Sequence, residues 1–178
     1  VTDLTSTLTP EQINSLENQL RSYEKIKGTQ IAVLMIPTTQ PESIEQYSIR
    51  VVDQWKLGRK KIDDGVLLLI AKDDRRLRLE IGYGLEGALN DVTSKRIISD
   101  VITPYLKQGM FFEGISAGLS NVIKVINGET LPPTNTSETN NSDFSNGFES
   151  VLIIAFMVAM FVGSILKQVI GNIPGGII

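Results

Sequence analysis

The chain has 178 residues, of which 42% are hydrophobic, enough for one domain with a real core and a segment to spare. Its 17 Lys and Arg against 20 Asp and Glu, a net charge of −3, give no basic field for a nucleic-acid partner. With no His and no Cys, Ser-His-Asp triads, thiol nucleophiles, thiolate zinc sites and imidazole bases are excluded. Chemistry falls to carboxylates, hydroxyls, Lys, Arg, backbone groups or a hard metal ion.

The chain begins at Val1 rather than Met, which fits removal of a leader. Thr9-Pro10-Glu11-Gln12 reads as an N-cap, a proline at N1 and a capping-box Gln at N3, followed by Ile13, Leu16, Leu20 and Tyr23 at helical spacing, with Gly28 as the stop. Residues 30–36 (QIAVLMI) form a nearly continuous apolar run, as in a strand covered on both faces. Ser43-Ile44-Glu45-Gln46 is a second capping box, and Ile44, Tyr47, Val51 and Trp55 form one stripe of a second helix ending near Gly58.

Residues 66–71 (VLLLIA) read as another fully buried strand, whereas Leu77, Leu79 and Ile81 alternate with Arg76, Arg78 and Glu80, a strand with one wet face. The polar turn 72–75 makes these two a hairpin. The first two strands flank a helix and should be parallel, in the order first, second, third, with the third at an edge. Residues 92–107 and 111–127 supply two more helices, with Pro104 kinking or ending the former.

After Asn127 the composition turns to GETLPPTNTSETNNSDFSNG, a disordered polar linker over 128–147. Residues 151–166 carry no charge, and their extension to Ile170 approaches the ~20 residues of a bilayer-spanning helix, predicted over 148–170. A buried globular helix rarely follows such a tether. Asp143 and Glu149 precede the uncharged run and Lys167 follows it, a bias that puts the globular part outside the cytoplasm.

The segment Gly82-Tyr83-Gly84-Leu85-Glu86-Gly87 has the G-x-G-x-x-G spacing of a dinucleotide fingerprint. That fingerprint needs a helix and then a second parallel strand, and no strand pattern follows Gly87. The motif is therefore read as a tight glycine turn, with no dinucleotide. An even hairpin about Asp73-Asp74 puts Val66 opposite Ile81 and Asp64 opposite Tyr83, about 5 Å apart at Cα. Asp63, Asp64, Glu86 and Asp91 then surround one corner, and glycines at 65, 82, 84 and 87 let carbonyls approach it. Oxygen ligands on such a loop suit Ca²⁺, with Mg²⁺ as the other hard ion. The plainer reading of the same residues makes Asp91 a helix N-cap and Asp63-Asp64 solvated turn residues.

Trp55-x-x-Gly58, Asp64-Gly65-Val66-Leu67-Leu68-Leu69, the arginine-rich return strand, Gly82 to Gly87, Asp91, and Pro104 with Gly109 and Gly114, behind the Leu-Thr-Pro-Glu helix start, together resemble the TPM domain over residues 1–127. The resemblance implies an α/β fold, a three-layer α/β/α sandwich with a small mixed sheet, followed here by the linker and one transmembrane helix. It is similar to the exported part of YgcG-like bacterial membrane proteins, and is related to thylakoid-lumen proteins of photosystem II repair; some members are described as calcium-binding or as acid phosphatases. Carried onto matching positions, it marks Asp64, Gly82, Gly84, Glu86 and Asp91, with Asp63 beside them, as metal candidates. Many relatives continue into a glycine-rich tail, whereas residues 171–178 end this chain at Pro174-Gly175-Gly176-Ile177-Ile178.

Two functions fit. One is a membrane-anchored extracytoplasmic module, stabilised by calcium, that recognises or assists an envelope protein. The other is a metal-assisted acid phosphatase acting on phosphate monoesters, with Arg59, Lys60 or Lys61 offsetting phosphoryl charge. The nearby hydroxyls, Thr93 and Ser94, read as helix-start residues, which leaves the enzyme without an evident nucleophile and favours the module.

Overall fold

The computed structural model describes residues 1–129 and 131; the predicted span at 148–170, the tail at 171–178 and nearly all of the predicted linker lie outside them. Residues Val1–Pro133 group into one compact unit. Its elements are β1 (Thr2–Asp3), α1 (Pro10–Lys27), β2 (Gln30–Ile36), α2 (Ile44–Trp55), β3 (Gly65–Ala71), β4 (Arg76–Ile81), a 3₁₀ turn (Tyr83–Leu85), α3 (Asp91–Arg96), a π segment (Ile97–Ile102), α4 (Thr103–Lys107) and α5 (Phe111–Ile126). Among the described residues no helix is long and apolar enough to cross a membrane.

The helix starts follow from local hydrogen bonding. At α1 the box is closed both ways, with Gln12 N–H donating to Thr9 Oγ1 at 3.3 Å and Thr9 N–H to Gln12 Oε1 at 2.9 Å. At α2 only the Ser43 half forms, from Gln46 N–H at 3.3 Å. Gly28 ends α1 in the left-handed region.

The four strands form one mixed sheet in the order β1-β2-β3-β4. β2 and β3 are parallel, β3 and β4 antiparallel with Val66 opposite Ile81, as the hairpin register predicts. β1, parallel to β2, is an addition that the sequence pattern lacks, because two residues show no alternation. Asp3 fixes it: its carboxylate accepts from Thr5, Thr7 and Leu8 N–H at 2.8 Å each and folds the chain back toward α1. Burial alone would raise this carboxyl, but the Thr5 hydroxyl and those N–H groups together hold it below its ordinary value.

Alternation along the strands divides the core between the two faces of the sheet. Val33, Met35, Val66, Leu68 and Ile70 pack with Leu16 and Leu20 of α1, Ile97 and Ile102 of the π segment, and Ile115 and Leu119 of α5. Leu34, Ile36, Leu67 and Leu69 pack on the other side with Ile44 and Val51 of α2. Both faces of β2 and β3 are thus covered, the physical reason for their continuous apolar sequence.

Three expectations change. Trp55, the last of the α2 stripe, is 43% exposed, since the helix ends there and Lys56 turns left-handed at φ 50°. The face of β4 expected to be wet is half covered by α2: Arg78 Nε and Ser48 Oγ both donate to Glu80 Oε2, each at 2.7 Å. Residues 92–107 are helical throughout, as expected, but the winding changes ahead of Pro104 rather than the helix ending there. The wider π turn precedes the proline, with Thr103 N–H donating to Ile98 C=O, and Pro104 sits in the first turn of α4, where its missing N–H costs nothing.

Candidate functional site

The strand ends at Gly65 and Gly82 meet the loop from Lys56 to Asp64. In that loop both Ile62 and Asp63 N–H donate to Arg59 C=O, at 3.0 and 2.9 Å, and Asp63 takes a left-handed φ of 55°, which Asp tolerates better than most residues. Three successive N–H groups of the return strand are then satisfied in turn. Gly82 N–H donates to Gly65 C=O at 2.8 Å and Gly84 N–H to Asp63 C=O at 2.9 Å. Between them Tyr83 N–H donates to Asp63 Oδ2 at 2.9 Å. The approach is close: a Cβ on Gly82 would lie 2.8 Å from the Asp63 carbonyl carbon, and one on Gly84 would overlap the Ile62 carbonyl oxygen. A Cβ on Gly87 would meet nothing within 4 Å. The tight glycine turn predicted here is therefore built by the first two glycines of the motif against the backbone of Ile62 and Asp63.

Because successive side chains alternate, Asp64 turns away from this corner. It is buried, 2% exposed, and its two oxygens are taken: Oδ1 by Arg59 N–H at 2.9 Å, and Oδ2 by Arg59 Nε at 2.9 Å and Nη2 at 2.6 Å. Thr29 Oγ1 adds a long contact at 3.5 Å. Burial pushes the Asp64 carboxyl up, but the Arg59 guanidinium, the Arg59 N–H and the guanidinium charge outweigh it and leave the group below its ordinary value. The hydrogen bond to Asp64 raises Arg59 in turn.

The remaining candidates stand apart. Glu86 closes the 3₁₀ turn and Asp91 opens α3; both side chains are exposed, and neither bonds to Asp63 or Asp64. The N-cap of α3 is Asn90, not Asp91: its Oδ1 accepts from Thr93 N–H at 3.0 Å. Of the six residues expected around one hard ion, Asp63 meets the backbone of Gly82, Tyr83 and Gly84, Asp64 pairs with Arg59, and Glu86 and Asp91 are exposed. Among the described residues no three acidic side chains gather to hold a metal.

Two features of the site escape the sequence pattern. Arg59, read as one of a basic triplet, is the partner of Asp64; the Arg59-x-x-x-x-Asp64 spacing across a left-handed loop carries no regular period. Tyr83, read only as the residue opposite Asp64 in the hairpin register, is 79% exposed on the backbone that Gly82 and Gly84 fix, and Ile62, whose carbonyl lies against Gly84, is 47% exposed.

Comparison with known proteins places this geometry. The family model described as the TPM domain matches residues 1–125. No curated protein matches. The chain is similar to the N-terminal domain of a protein from P. gingivalis, solved in solution by NMR, at 34% identity over 71% of this chain and 81% of that one, with a TM-score of 0.65. The BA42 protein of the psychrophilic bacterium Bizionia argentinensis shares 20% identity over 74% of this chain and 96% of its own, TM-score 0.61. The N-terminal domain of cg2496 from Corynebacterium glutamicum shares 12% over 78% and 82%, TM-score 0.54. These last two show the fold alone.

Proposed function

The chain belongs to the TPM domain family, and on that premise we propose that it acts as a non-enzymatic recognition module: an extracytoplasmic domain, anchored through the apolar segment at 148–170, that binds a protein of the same envelope. One observation carries the reading, the exposed Tyr83 ring on a backbone fixed by Asp63 and by two glycines with no room for a Cβ. A rigid aromatic anchor loses little rotamer entropy on docking and supplies a large contact area. The polar linker would hold this surface near the membrane and raise the effective concentration of a membrane-borne partner.

The phosphatase reading has less support. It needs a cation beside the acidic corner free to meet a phosphoryl group; Arg59 is engaged by Asp64, which leaves the exposed Lys60 and Lys61 of the same loop for that role. Of the hydroxyls around that corner, Thr29 Oγ1 is buried against Asp64 at 3.5 Å and Ser94 Oγ donates to Asn90 C=O at 2.9 Å. Calcium enters the proposal through Asp63, whose Oδ1 accepts no hydrogen bond among the described residues. An ion held here would draw on that oxygen and leave Asp64 with Arg59. The module reading is tested with a photo-crosslinking residue in place of Tyr83, in membranes of the source organism. A discrete protein adduct is expected there, and none from a probe on the exposed face of α1.

A further inference from the structure

At the far end of the β3–β4 ladder from the Tyr83 corner, roughly 17 Å away at strand spacing, a cleft of about 810 Å³ opens between the hairpin turn and the α4–α5 junction. Its volume falls in the range of small-molecule sites. The floor is apolar, with Leu77, Leu106 and Phe111 half-buried. Three cations, Lys72, Arg75 and Lys107, line it against the single acid Asp73, while Arg76 at its edge alternates with Leu77 onto the α2 face of β4. In a chain of net charge −3 this is a local reversal of sign.

The charge of Arg76 is felt by Asp74 and Glu45, outside the cleft. Asp74, next in the turn, is taken up by Thr38 Oγ1 at 2.8 Å and Thr39 N–H at 2.9 Å and does not line the cleft. Among the described residues none of Lys72, Arg75 and Lys107 forms an ion pair within 4.0 Å. Lys72 Nζ is fixed by one donated bond, to Thr7 Oγ1 at 2.9 Å, and stands 5.4 Å from the centre of the Phe111 ring; an ammonium has three donors. Arg75 occupies a left-handed turn position, φ 53°, that Gly or Asn would fill with less strain. The turn therefore carries a charge where backbone geometry alone favours a small neutral residue.

We propose that this cleft binds a small anion bearing an apolar group, with an oxyanion such as a phosphonate, phosphate or carboxylate among Lys72, Arg75 and Lys107 and the apolar part on Leu77, Leu106 and Phe111. Guanidinium groups suit such oxyanions because they donate in pairs. The site is separate from the Tyr83 corner and does not depend on its reading.

The 178-residue chain in nanodiscs of neutral lipid is titrated calorimetrically with phenylphosphonate, which has both parts and no ester to hydrolyse. Saturable binding is expected, weakened about tenfold or more in Arg75→Gly and in Lys107→Ala, as for loss of a charge-assisted contact. Arg75→Gly relaxes the turn, so lost binding in that variant is not lost folding, and an unchanged melting temperature checks the same for Lys107→Ala. Inorganic phosphate and benzyl alcohol, each with one part only, are expected to bind at least about tenfold more weakly. No saturable phenylphosphonate binding, equal binding by inorganic phosphate, or full affinity in both variants overturns the proposal. Repeating the titration in nanodiscs with anionic lipid separates the sources: unchanged affinity supports a free ligand, whereas competition assigns the cleft to lipid headgroups and overturns the free small anion.

Discussion

The three glycines of the Gly82 to Gly87 motif should respond to alanine in different ways. At Gly84 an added Cβ would overlap the Ile62 carbonyl oxygen and lie 3.1 Å from that of Asp63; at Gly82 it would lie 2.8 Å from the Asp63 carbonyl carbon and 2.9 Å from Asp63 Oδ1. These neighbours are mostly backbone, so relief requires the 62–63 loop to move. Overpacking of this kind costs about 1–3 kcal/mol, and about 1 kcal/mol more if the Tyr83 N–H to Asp63 bond is lost. For a unit of this size about 4 °C of melting temperature corresponds to each kcal/mol, so Gly82→Ala and Gly84→Ala should each lower it by roughly 4–16 °C. Gly87 has open space and no left-handed φ; Gly87→Ala should leave the melting temperature unchanged or raise it slightly, by reducing unfolded-state entropy. Thermal unfolding followed by circular dichroism reads all three. A Gly87→Ala loss as large as that of Gly84→Ala, or a neutral Gly84→Ala, would refute the packing explanation of the motif.

Asp64→Asn should cost about 2 kcal/mol at neutral pH, because a buried acceptor with three donated bonds loses its charge; the 45% exposed Arg59 side chain can turn to water, which keeps the figure low. The folded Asp64 carboxyl lies below its unfolded value of 3.8, so its stabilisation is present above that pH and is lost as pH falls through the folded value. Urea melts should therefore show the gap between wild type and Asp64→Asn closing below about pH 4, and a constant gap there would contradict the pairing. Calcium should raise the wild-type melting temperature, Asp63→Asn should abolish that increment and Asp64→Asn should keep it; equal responses of both variants would remove Asp63 from the ion's path. In intact cells a protease admitted only to the extracytoplasmic side should cut within 128–147, and protection of that segment until the inner membrane is breached would reverse the proposed orientation.

Much of the fold was legible because its signals are local. The Thr9 box, the apolar runs of β2 and β3 and the hairpin register each lie within one stretch of chain, and each is found where the spacing puts it. What was missed depends on contacts between distant segments or on very short elements: β1 has two residues, and the π turn over Ile97–Ile102 is a wider winding of an ordinary helical pattern. At the site, the hairpin brought the right loop to the right glycines, but side-chain direction decided the chemistry. A left-handed Asp63 caps Tyr83 while its neighbour faces Arg59, so two adjacent carboxylates that look alike in sequence have different partners. No periodicity distinguishes them, because both loop conformation and alternation act at a single residue.

Site-specific photo-crosslinking from position 83 bears most directly on the recognition role. The probe replaces Tyr83 in the full chain, expressed in the source organism, and is activated in intact membranes beside the same chain carrying Gly84→Ala, which should disturb the backbone under the probe. A discrete adduct with one envelope protein, strongly reduced by Gly84→Ala at equal expression, is the expected result. Absence of any adduct from position 83, together with robust aryl-phosphate turnover by the purified chain, would contradict the module and leave an enzyme in its place.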